Sequence, residues 1–210
     1  MMNIFSMDSK LYKAGMVLGE MFLLGMLWTI MSLPIVTIGA STTALYYVCT
    51  KKAAGSDDYL LRGFLKSFKE NFLKATVITV LLMAIGLLIW TNLHILGQLE
   101  LGALTHVIRF ALYFVLVQAA FIMLYVFAIL SRFEVGVLGA VKWALFMSYR
   151  HFKTTIGNIA LIAALVIIAL LMPVVLLFSV GIYVYLSSYP LLKIFSSHSA
   201  EFEKLQDGLR

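Results

Sequence analysis

The sequence predicts an all-α fold: a polytopic membrane helical bundle of about six transmembrane helices, with five as the alternative, plus two cytoplasmic amphipathic helices. Two observations predict this class. The 210 residues are 62% hydrophobic and 12% charged, whereas soluble domains are about half apolar and about a quarter charged. The hydrophobic residues also form long runs with almost no charge, which is the pattern of membrane-spanning helices. The length suits a single integral membrane domain over residues 1–210.

Four apolar runs are visible, at residues 14–50, 75–92, 107–131 and 155–195. A helix needs about 20 residues to cross a bilayer, so the first and last runs are long enough for two passes each. If both cross twice, fifteen of the sixteen Lys and Arg residues lie on one side and only Arg109 lies on the other. The positive-inside rule favours this arrangement. We therefore expect a multi-pass plasma-membrane protein with both termini in the cytoplasm.

The first run is expected to be an uncleaved signal anchor, because it is about as long as a full span and has no A-x-A-like cleavage site. Gly15 and Gly19 form a G-x-x-x-G pair, which lets another helix approach closely. Glu20 follows directly and is expected to face protein, because an unpaired carboxylate in hydrocarbon costs several kcal/mol. Its expected partners are the hydroxyl groups of a returning helix, in residues 41–43.

The stretch SLPIVTIGASTT is predicted to turn the chain back. Pro34 cannot continue a helix and disfavours helix at the residue before it. Gly39 permits backbone conformations that other residues resist, and Ser41 or Thr42 can cap a new helix. These residues together predict a hairpin rather than one long tilted helix.

The returning helix over residues 36–50 is short, about 22 Å at 1.5 Å per residue. The last run repeats the design, with Pro173 at its middle and Gly181 in the place of Gly39. Residues 36–50 and 174–192 are therefore expected to be either full spans or re-entrant segments, which must be covered by protein.

Two segments outside the apolar runs have the pattern of amphipathic helices. In residues 58–72, leucine and phenylalanine recur at three- and four-residue steps opposite basic residues. We expect this helix either to lie on the inner membrane surface, through residues such as Phe64, or to pack on the bundle. Residues 134–152 occupy the matching place before the next span. The order of elements suggests a parallel repeat over residues 34–92 and 107–172.

Polar side chains inside the apolar runs are few, and no set of them forms a catalytic pattern. Gln118 lies deep in the third run and is expected to hydrogen-bond to another helix. Cys49 is the only cysteine, which excludes an internal disulfide. His94, Glu100 and His106 lack a recognised metal-ligand spacing, and the common nucleotide-binding, zinc-protease and hydrolase motifs are absent. We therefore expect no enzyme, no metal and no cofactor.

The stretches SLPIVTIGASTTALYY and FLKSFKENFLKAT resemble the signature of the YesL-like family, small Gram-positive bacterial membrane proteins with a domain of unknown function. The resemblance extends over nearly the whole chain in length and helix order, and residues 33–76 carry its specificity. Members are often encoded beside genes for carbohydrate uptake and polysaccharide degradation. The resemblance implies a non-enzymatic accessory or regulatory role in carbohydrate uptake or utilisation. A small transporter or permease-like subunit is the alternative.

The implied partners are the lipid bilayer and either a carbohydrate ABC transporter, which would need a separate ATPase, or another membrane protein. Nucleic acid is not an expected partner. The net charge of +6 is spread in clusters beside the apolar runs, where it indicates the membrane surface and the orientation of the chain.

Overall fold

The computed structural model describes residues 10–56, 60–98, 102–172 and 176–207, and all regular structure in these residues is helical. A single-turn 3-10 helix, Ile35–Thr37, lies between the first two of seven α-helices. The α-helices are α1 (Lys10–Met31), α2 (Ile38–Ala53), α3 (Leu60–Leu96), α4 (Ala103–Arg132), α5 (Val137–Arg150), α6 (Phe152–Leu171) and α7 (Leu176–Asp207). The all-α prediction is confirmed for the described residues.

Three helices, α3, α4 and α6, are long and apolar enough to cross a membrane. Their most apolar windows have a mean hydropathy of 2.4 and at most 39% of each window is buried, so most of that surface is left for lipid. Helix α1 has a shorter apolar stretch, Gly15–Met31. A membrane-associated helical bundle is therefore supported, while the count of six passes stays a prediction.

Helix α2 is the centre of the bundle. Ten of its sixteen residues are buried, and it contacts α1, α3, α4 and α7. After Ile38, residues 39–44 of α2 are all glycine, alanine, serine or threonine, so neighbouring helices can approach its backbone closely. Its length is about 24 Å, less than the ~30 Å of the hydrocarbon core. Because its neighbours are protein, the short length does not require a thinned bilayer.

Helices α1 and α2 form the hairpin that Pro34 predicted. Trp28 Nε1 donates a hydrogen bond to Thr42 Oγ1 at 3.1 Å. Further from the turn, Glu20 forms an ion pair with Lys52. The two helices are therefore antiparallel, and the N-terminal end of α1 lies toward the lysine end of α2.

Helices α2 and α3 are antiparallel as well. Gly39 near the start of α2 lies against Thr79 of α3, and Val48 near its end contacts Gly63. Helix α3 continues past Thr79 to Leu96, a further 17 residues or about 26 Å. The α3–α4 turn is therefore far beyond the α1–α2 turn along the same axis.

The first predicted amphipathic helix is not a separate element, which corrects the prediction. Residues 58–72 and the following span belong mostly to the continuous 37-residue helix α3, about 55 Å long. Phe64 is fully buried, whereas Leu61, Leu65 and Phe72 are 61%, 40% and 40% exposed. The first half of α3 therefore packs on the bundle through its Phe64 side, while part of the predicted apolar stripe stays exposed. The end of α2 lies along this part of α3, since Tyr47 and Val48 are next to Gly63.

Helix α4 returns alongside α3, since Arg109 Nη2 near its start donates to the carbonyl oxygen of Leu96 at 3.4 Å. Helix α5, Val137–Arg150, lies within the predicted amphipathic segment 134–152. The helical conformation is interrupted at His151, which has φ −110° and ψ 47° and separates α5 from α6. The predicted repeat stays a prediction, because its two copies differ: the amphipathic part and the span are fused in α3 but separated between α5 and α6.

The last apolar run is two helices, as predicted, although Pro173 lies outside the described residues. Residues 174–192 are not an isolated short segment, because α7 continues through Pro190 to Asp207. Ser187 of α7 donates to Tyr46 of α2 at 3.4 Å, and an earlier part of α7 shares a cavity wall with Thr42. Helices α7 and α2 are therefore parallel, and the C-terminal end of α7 lies toward the lysine end of α2.

Candidate functional site

Pro34 ends the first arm of the hairpin, as predicted. The Thr37 hydroxyl lies 2.6 Å from the carbonyl oxygens of both Met31 and Pro34. Its single proton can be donated to the carbonyl oxygen of Met31, one of the acceptors that the end of α1 leaves free, since the Pro34 carbonyl oxygen already accepts from the Thr37 N–H at 2.8 Å. The predicted caps, Ser41 and Thr42, lie inside α2 instead, because the 3-10 turn starts the helix earlier.

Gly39 has a packing role rather than the predicted role in a turn, since its backbone is helical. A Cβ at this position would lie 2.6 Å from a ring carbon of Phe127 and 2.8 Å from the carbonyl oxygen of Ala75, and closer still to Thr79 Oγ1. Separations of this size do not occur for real Cβ atoms. Only glycine therefore lets α2, α3 and α4 meet here.

Gly181 has the same role between α7 and α1. A Cβ there would collide with the carbonyl oxygen of Met21 and lie 3.2 Å from its carbonyl carbon. Both are backbone atoms, so relief would require α1 to move. In the sequence, Gly181 was indicated by its position before Lys193, which matches that of Gly39 before Lys51, and nothing indicated α1 as its partner.

The predicted close contact at Gly15 and Gly19 is wrong within the described part of the chain. Both residues are exposed, and a Cβ at either would have no neighbour within 4 Å. Helix α1 turns a different face to the core, where Met21 and Leu24 are each 1% exposed. The small residue at the close helix contact comes from α7, and α1 contributes its backbone.

Glu20 faces protein, but its partner is not a hydroxyl group. Its carboxylate pairs with the Lys52 ammonium, and the two side chains are 27% and 15% exposed. The hydroxyl residues 41–43 lie near the other end of α2. The pairing cancels two charges that would be costly near hydrocarbon. From the sequence, Lys52 was expected only to lie beside the membrane as one of the basic residues that orient the chain.

The hydroxyl groups of residues 41–43 do not form one site. Thr42 and Thr43 donate to the carbonyl oxygens four residues earlier, at 2.7 and 2.8 Å, an internal bond common for these residues in helices. Ser41 is fully buried, and its hydroxyl has no hydrogen-bond partner in the described part of the chain.

Gln118 does hydrogen-bond to another helix. Its Nε2 donates to the hydroxyl of Tyr149 on α5, and the Tyr149 ring meets Phe121 edge-on at 5.8 Å between centroids. The contact holds α5 along α4. Gln118 therefore does not converge with Glu20 and the residues of α2 on a common polar cavity.

An apolar cavity of about 320 Å³ lies between α2, α4, α6 and α7. Its polar groups are the hydroxyls of Thr42, Tyr46 and Tyr183, and no charged residue lines it. A second cavity of about 230 Å³ between α6 and α7 shares Tyr183 with the first. Small-molecule pockets are of about 300–1,000 Å³ with few polar groups. This pair of cavities suits a small apolar or amphiphilic guest.

A buried polar cluster joins α4, α5 and α6, and Leu124 of the neighbouring cavity is next in sequence to its Tyr125. The Thr155 hydroxyl donates to the carbonyl oxygen of Ser148 at 2.8 Å. It must then accept the bond from the Tyr125 hydroxyl, 2.9 Å away. Asn158 is 3% exposed, and its Nδ2 has no partner among the described residues. Sequence reasoning missed this cluster, because its members are far apart in the chain.

The described residues contain no group of three His, Cys, Asp or Glu side chains able to hold a metal ion. Of the three residues weighed in the sequence, Glu100 lies outside the described residues, and His94 stacks on Trp90 with 6.0 Å between ring centroids. The Cys49 thiol is free and buried. The arrangement thus holds helices together and can accept an apolar guest.

The comparisons with known proteins lead to proteins of unknown function. Residues 21–93 match the family model described as "Protein of unknown function, DUF624". The chain is 28% identical over 165 residues to "Uncharacterized protein YteU" of Bacillus subtilis (strain 168), covering 78% of this chain and 73% of the relative. No solved structure matches. Neither match carries the YesL-like name, which stays a prediction. The family match spans the α1–α2 turn, all of α2 and most of α3. The chain is therefore similar to a family of unknown function in the region that contains α2, the centre of the bundle.

Proposed function

We propose that this chain is a multi-pass plasma-membrane protein that acts as a non-enzymatic accessory or regulatory component of carbohydrate uptake or utilisation. One observation carries the proposal: Glu20 and Gln118, the polar residues that the sequence singles out in the apolar segments, each pair with another side chain of the protein. Glu20 pairs with Lys52, and Gln118 with Tyr149. A transport path would instead need such groups to converge on a cavity near the middle of the membrane. The link to carbohydrate uptake is supported by the resemblance to the YesL-like family.

Both termini are proposed to be cytoplasmic. The lysine end of α2 is near Arg62 at the start of α3, and the same end of the bundle carries Arg150 and Lys193 at the α5–α6 junction and on α7. Arg109 is at the opposite end, beside the carbonyl oxygen of Leu96. An excess of basic residues on one side is the usual mark of the cytoplasmic face.

The accessory role is tested by affinity purification of the tagged protein from cross-linked membranes of its own host. Cells are grown on a polysaccharide and, separately, on a non-carbohydrate carbon source. We expect membrane subunits of a carbohydrate transporter to be enriched over a tagged, unrelated multi-pass protein of similar abundance. Equal recovery with both baits would contradict the proposed partnership.

A small transporter or permease-like subunit is the second candidate, and the apolar cavities favour it. Val180 lines both, so Val180→Trp would fill them. If the chain transports a guest through this region, the variant should abolish uptake into proteoliposomes. Ile167→Trp is the matched control, because Ile167 is 59% exposed on α6. Equal uptake by empty liposomes and by the wild type would exclude transport of the compound tested.

A further inference from the structure

A cavity of about 680 Å³ opens between the α5–α6 junction and the C-terminal half of α7. It is distinct from the apolar cavities, because three basic side chains line it: Arg150, Lys153 and Lys193. They come from three different helices, which the chain folds together at the basic end of the bundle. Its volume is within the ~300–1,000 Å³ range of ligand pockets.

The three cations have no carboxylate partner within 4 Å among the described side chains. Arg150 lies over the Phe146 ring at 5.7 Å, which leaves its guanidinium N–H groups available at the edge. Elsewhere at this end of the bundle, Lys66 pairs with Glu70 at 3.9 Å. Like charges around one cavity repel each other, and an anion would relieve that repulsion.

Hydrogen-bond donors accompany the charge. Thr154 lines the cavity and carries a hydroxyl group. Ser197 also lines it, but its hydroxyl already donates to the carbonyl oxygen of Ile194 at 2.7 Å. The cavity also adjoins the first turn of α6, where the N–H groups of Thr154 and Thr155 already donate to the carbonyl oxygen of His151 at 2.9 and 3.1 Å. Because α5 ends where α6 begins, the negative end of the α5 dipole offsets the positive end of the α6 dipole there. The side-chain charges therefore supply most of the attraction.

One wall of the cavity is apolar. Phe152, Pro190 and Ile194 line it, and Phe152 is 51% exposed at the start of a membrane-spanning candidate. An anion with a carbon skeleton can therefore be held by its charged group on one side and by its apolar part on the other. Basic pockets between membrane helices on the cytoplasmic side commonly bind phosphorylated head groups.

We propose that this cavity binds a phosphate group, carried either by an anionic lipid head group or by a soluble phosphate compound. Arginine offers paired N–H donors that match phosphate oxygens, and lysine adds point charge. The site goes beyond the proposed accessory role and does not depend on it, because it requires only the described cavity.

The test compares two triple variants of the full-length protein in phosphate-free detergent solution. The cavity triple is Arg150→Gln/Lys153→Gln/Lys193→Gln. The matched control is Lys66→Gln/Lys69→Gln/Lys142→Gln, which removes the same charge from helix positions outside the cavity. Circular dichroism and gel filtration check that both fold. Should the cavity triple not fold, Lys193→Gln alone takes its place, since Lys193 is exposed on α7.

Two probes distinguish the source of the phosphate. Inorganic phosphate is titrated against sodium chloride of equal ionic strength, with thermal stability as the readout. The second probe is a lipid: the protein is reconstituted into vesicles of phosphatidylcholine and phosphatidylglycerol, because anionic lipids attract clustered basic residues. The phosphatidylglycerol that the protein retains is then measured by native mass spectrometry. Stabilisation by phosphate in the wild type and control, lost in the cavity triple, identifies a soluble ligand. Lipid retention with the same pattern, without a phosphate effect, identifies a lipid.

For either probe, we expect the cavity triple to bind roughly tenfold or more weakly, the scale of one lost charge-assisted hydrogen bond. Equal loss in both triples would mean that only general surface charge matters and would overturn the proposal. Absence of both effects in the wild type would overturn it as well.

Discussion

Gly39 and Gly181 lie at close helix contacts, at which an added methyl group meets backbone carbonyl oxygens. We expect Gly39→Ala and Gly181→Ala each to lower the free energy of unfolding by about 1–3 kcal/mol, the usual cost of overpacking. Thr79 can rotate away from position 39, whereas the Met21 carbonyl cannot leave position 181 without moving α1. The measurement is denaturant unfolding in detergent micelles.

Gly15→Ala and Gly19→Ala are the matched controls for these substitutions. Both positions are open, and alanine favours a helix over glycine by about 0.5–1 kcal/mol. These variants should be neutral or slightly stabilising. If Gly19→Ala destabilised as strongly as Gly181→Ala, the assignment of the close contact to α7 would be wrong.

The Glu20–Lys52 pair is a second test at single residues. Removing either charge leaves the other uncompensated in a mostly buried position, so Glu20→Gln and Lys52→Met should each cost about 1–3 kcal/mol. The double variant should recover much of that loss, because no unpaired charge remains. A double-mutant cycle measures the coupling. Additive effects of the two substitutions would show that the pair contributes no stability.

His151 makes stability depend on pH. Burial, and then the neighbouring His198 ring and the Arg150 charge, lower the pKa of His151. Lys153 and Lys193 line the same cavity. Below the ordinary histidine pKa of about 6.5, the unfolded chain binds a proton that folded His151 resists, so stability falls as the pH drops through this window toward the lowered pKa.

The melting temperature in phosphate-free buffer is expected to decrease from about pH 7.5 to about pH 5.5, and less steeply in His151→Gln. The difference between the two profiles isolates His151 from the other histidines. Identical profiles would contradict the assignment.

For single residues, the sequence predicted local roles better than it predicted which residue of another helix each one contacts. Proline disfavours a helical conformation at the residue before it, so the role of Pro34 could be predicted from local chemistry, although α7 continues through Pro190. Gly181 and Lys52 matter because of helices distant in the sequence, α1 in both cases. The G-x-x-x-G pair was misleading, since small residues permit a close contact without specifying that a helix fills it.

Among the elements, α3 differs most from its prediction, and its continuity can be measured. Leu61 and Leu88 are 61% and 62% exposed. They are 27 residues apart, so spin labels on a straight helix would be about 40 Å apart at 1.5 Å per residue. A surface helix bent at a right angle into the span would bring them to roughly 29 Å. We expect the longer distance by pulsed EPR in a Cys49→Ala background.

The reason for this difference is tertiary. The change from an amphipathic to a fully apolar pattern near residue 74 is real, but it marks a change of surroundings rather than the end of a helix. No glycine or proline interrupts residues 64–85 of α3, and α2 covers the Phe64 face. At His151, by contrast, the Thr155 hydroxyl bonds to the Ser148 carbonyl across the break. Local pattern alone does not separate these two cases.

For the whole molecule, the helical class and the order of helices could be predicted from composition and charge, because both follow from the bilayer as solvent. The number of passes could not. A hairpin that crosses twice and a hairpin that enters and returns put the same fifteen basic residues on one side. Only the relative depth of the helices distinguishes them, and depth depends on packing.

Three features lead us to predict that the α1–α2 hairpin is re-entrant. Its turn is apolar and exposed, with Leu33 at 76% and Ile35 at 59%, as expected for a turn within lipid rather than in water. Gly39 next to this turn lies against Thr79, near the inner end of the apolar part of α3. Helix α3 then continues about 26 Å further, a distance over which the hairpin does not accompany it.

Cysteine accessibility tests this topology in a Cys49→Ala background. An impermeant maleimide added to intact cells should label Gln98→Cys, in the α3–α4 turn, and should not label Leu33→Cys. Ser56→Cys, between α2 and α3, should react only in inside-out vesicles. Both arrangements predict the same result at Ser56, so the outcome at Leu33 decides between them. Because Leu33 is the more exposed side chain of its turn, detergent should make it reactive and thereby show that the cysteine is available. Labelling of Leu33→Cys from outside, at the rate of Gln98→Cys, would establish two full passes and six spans.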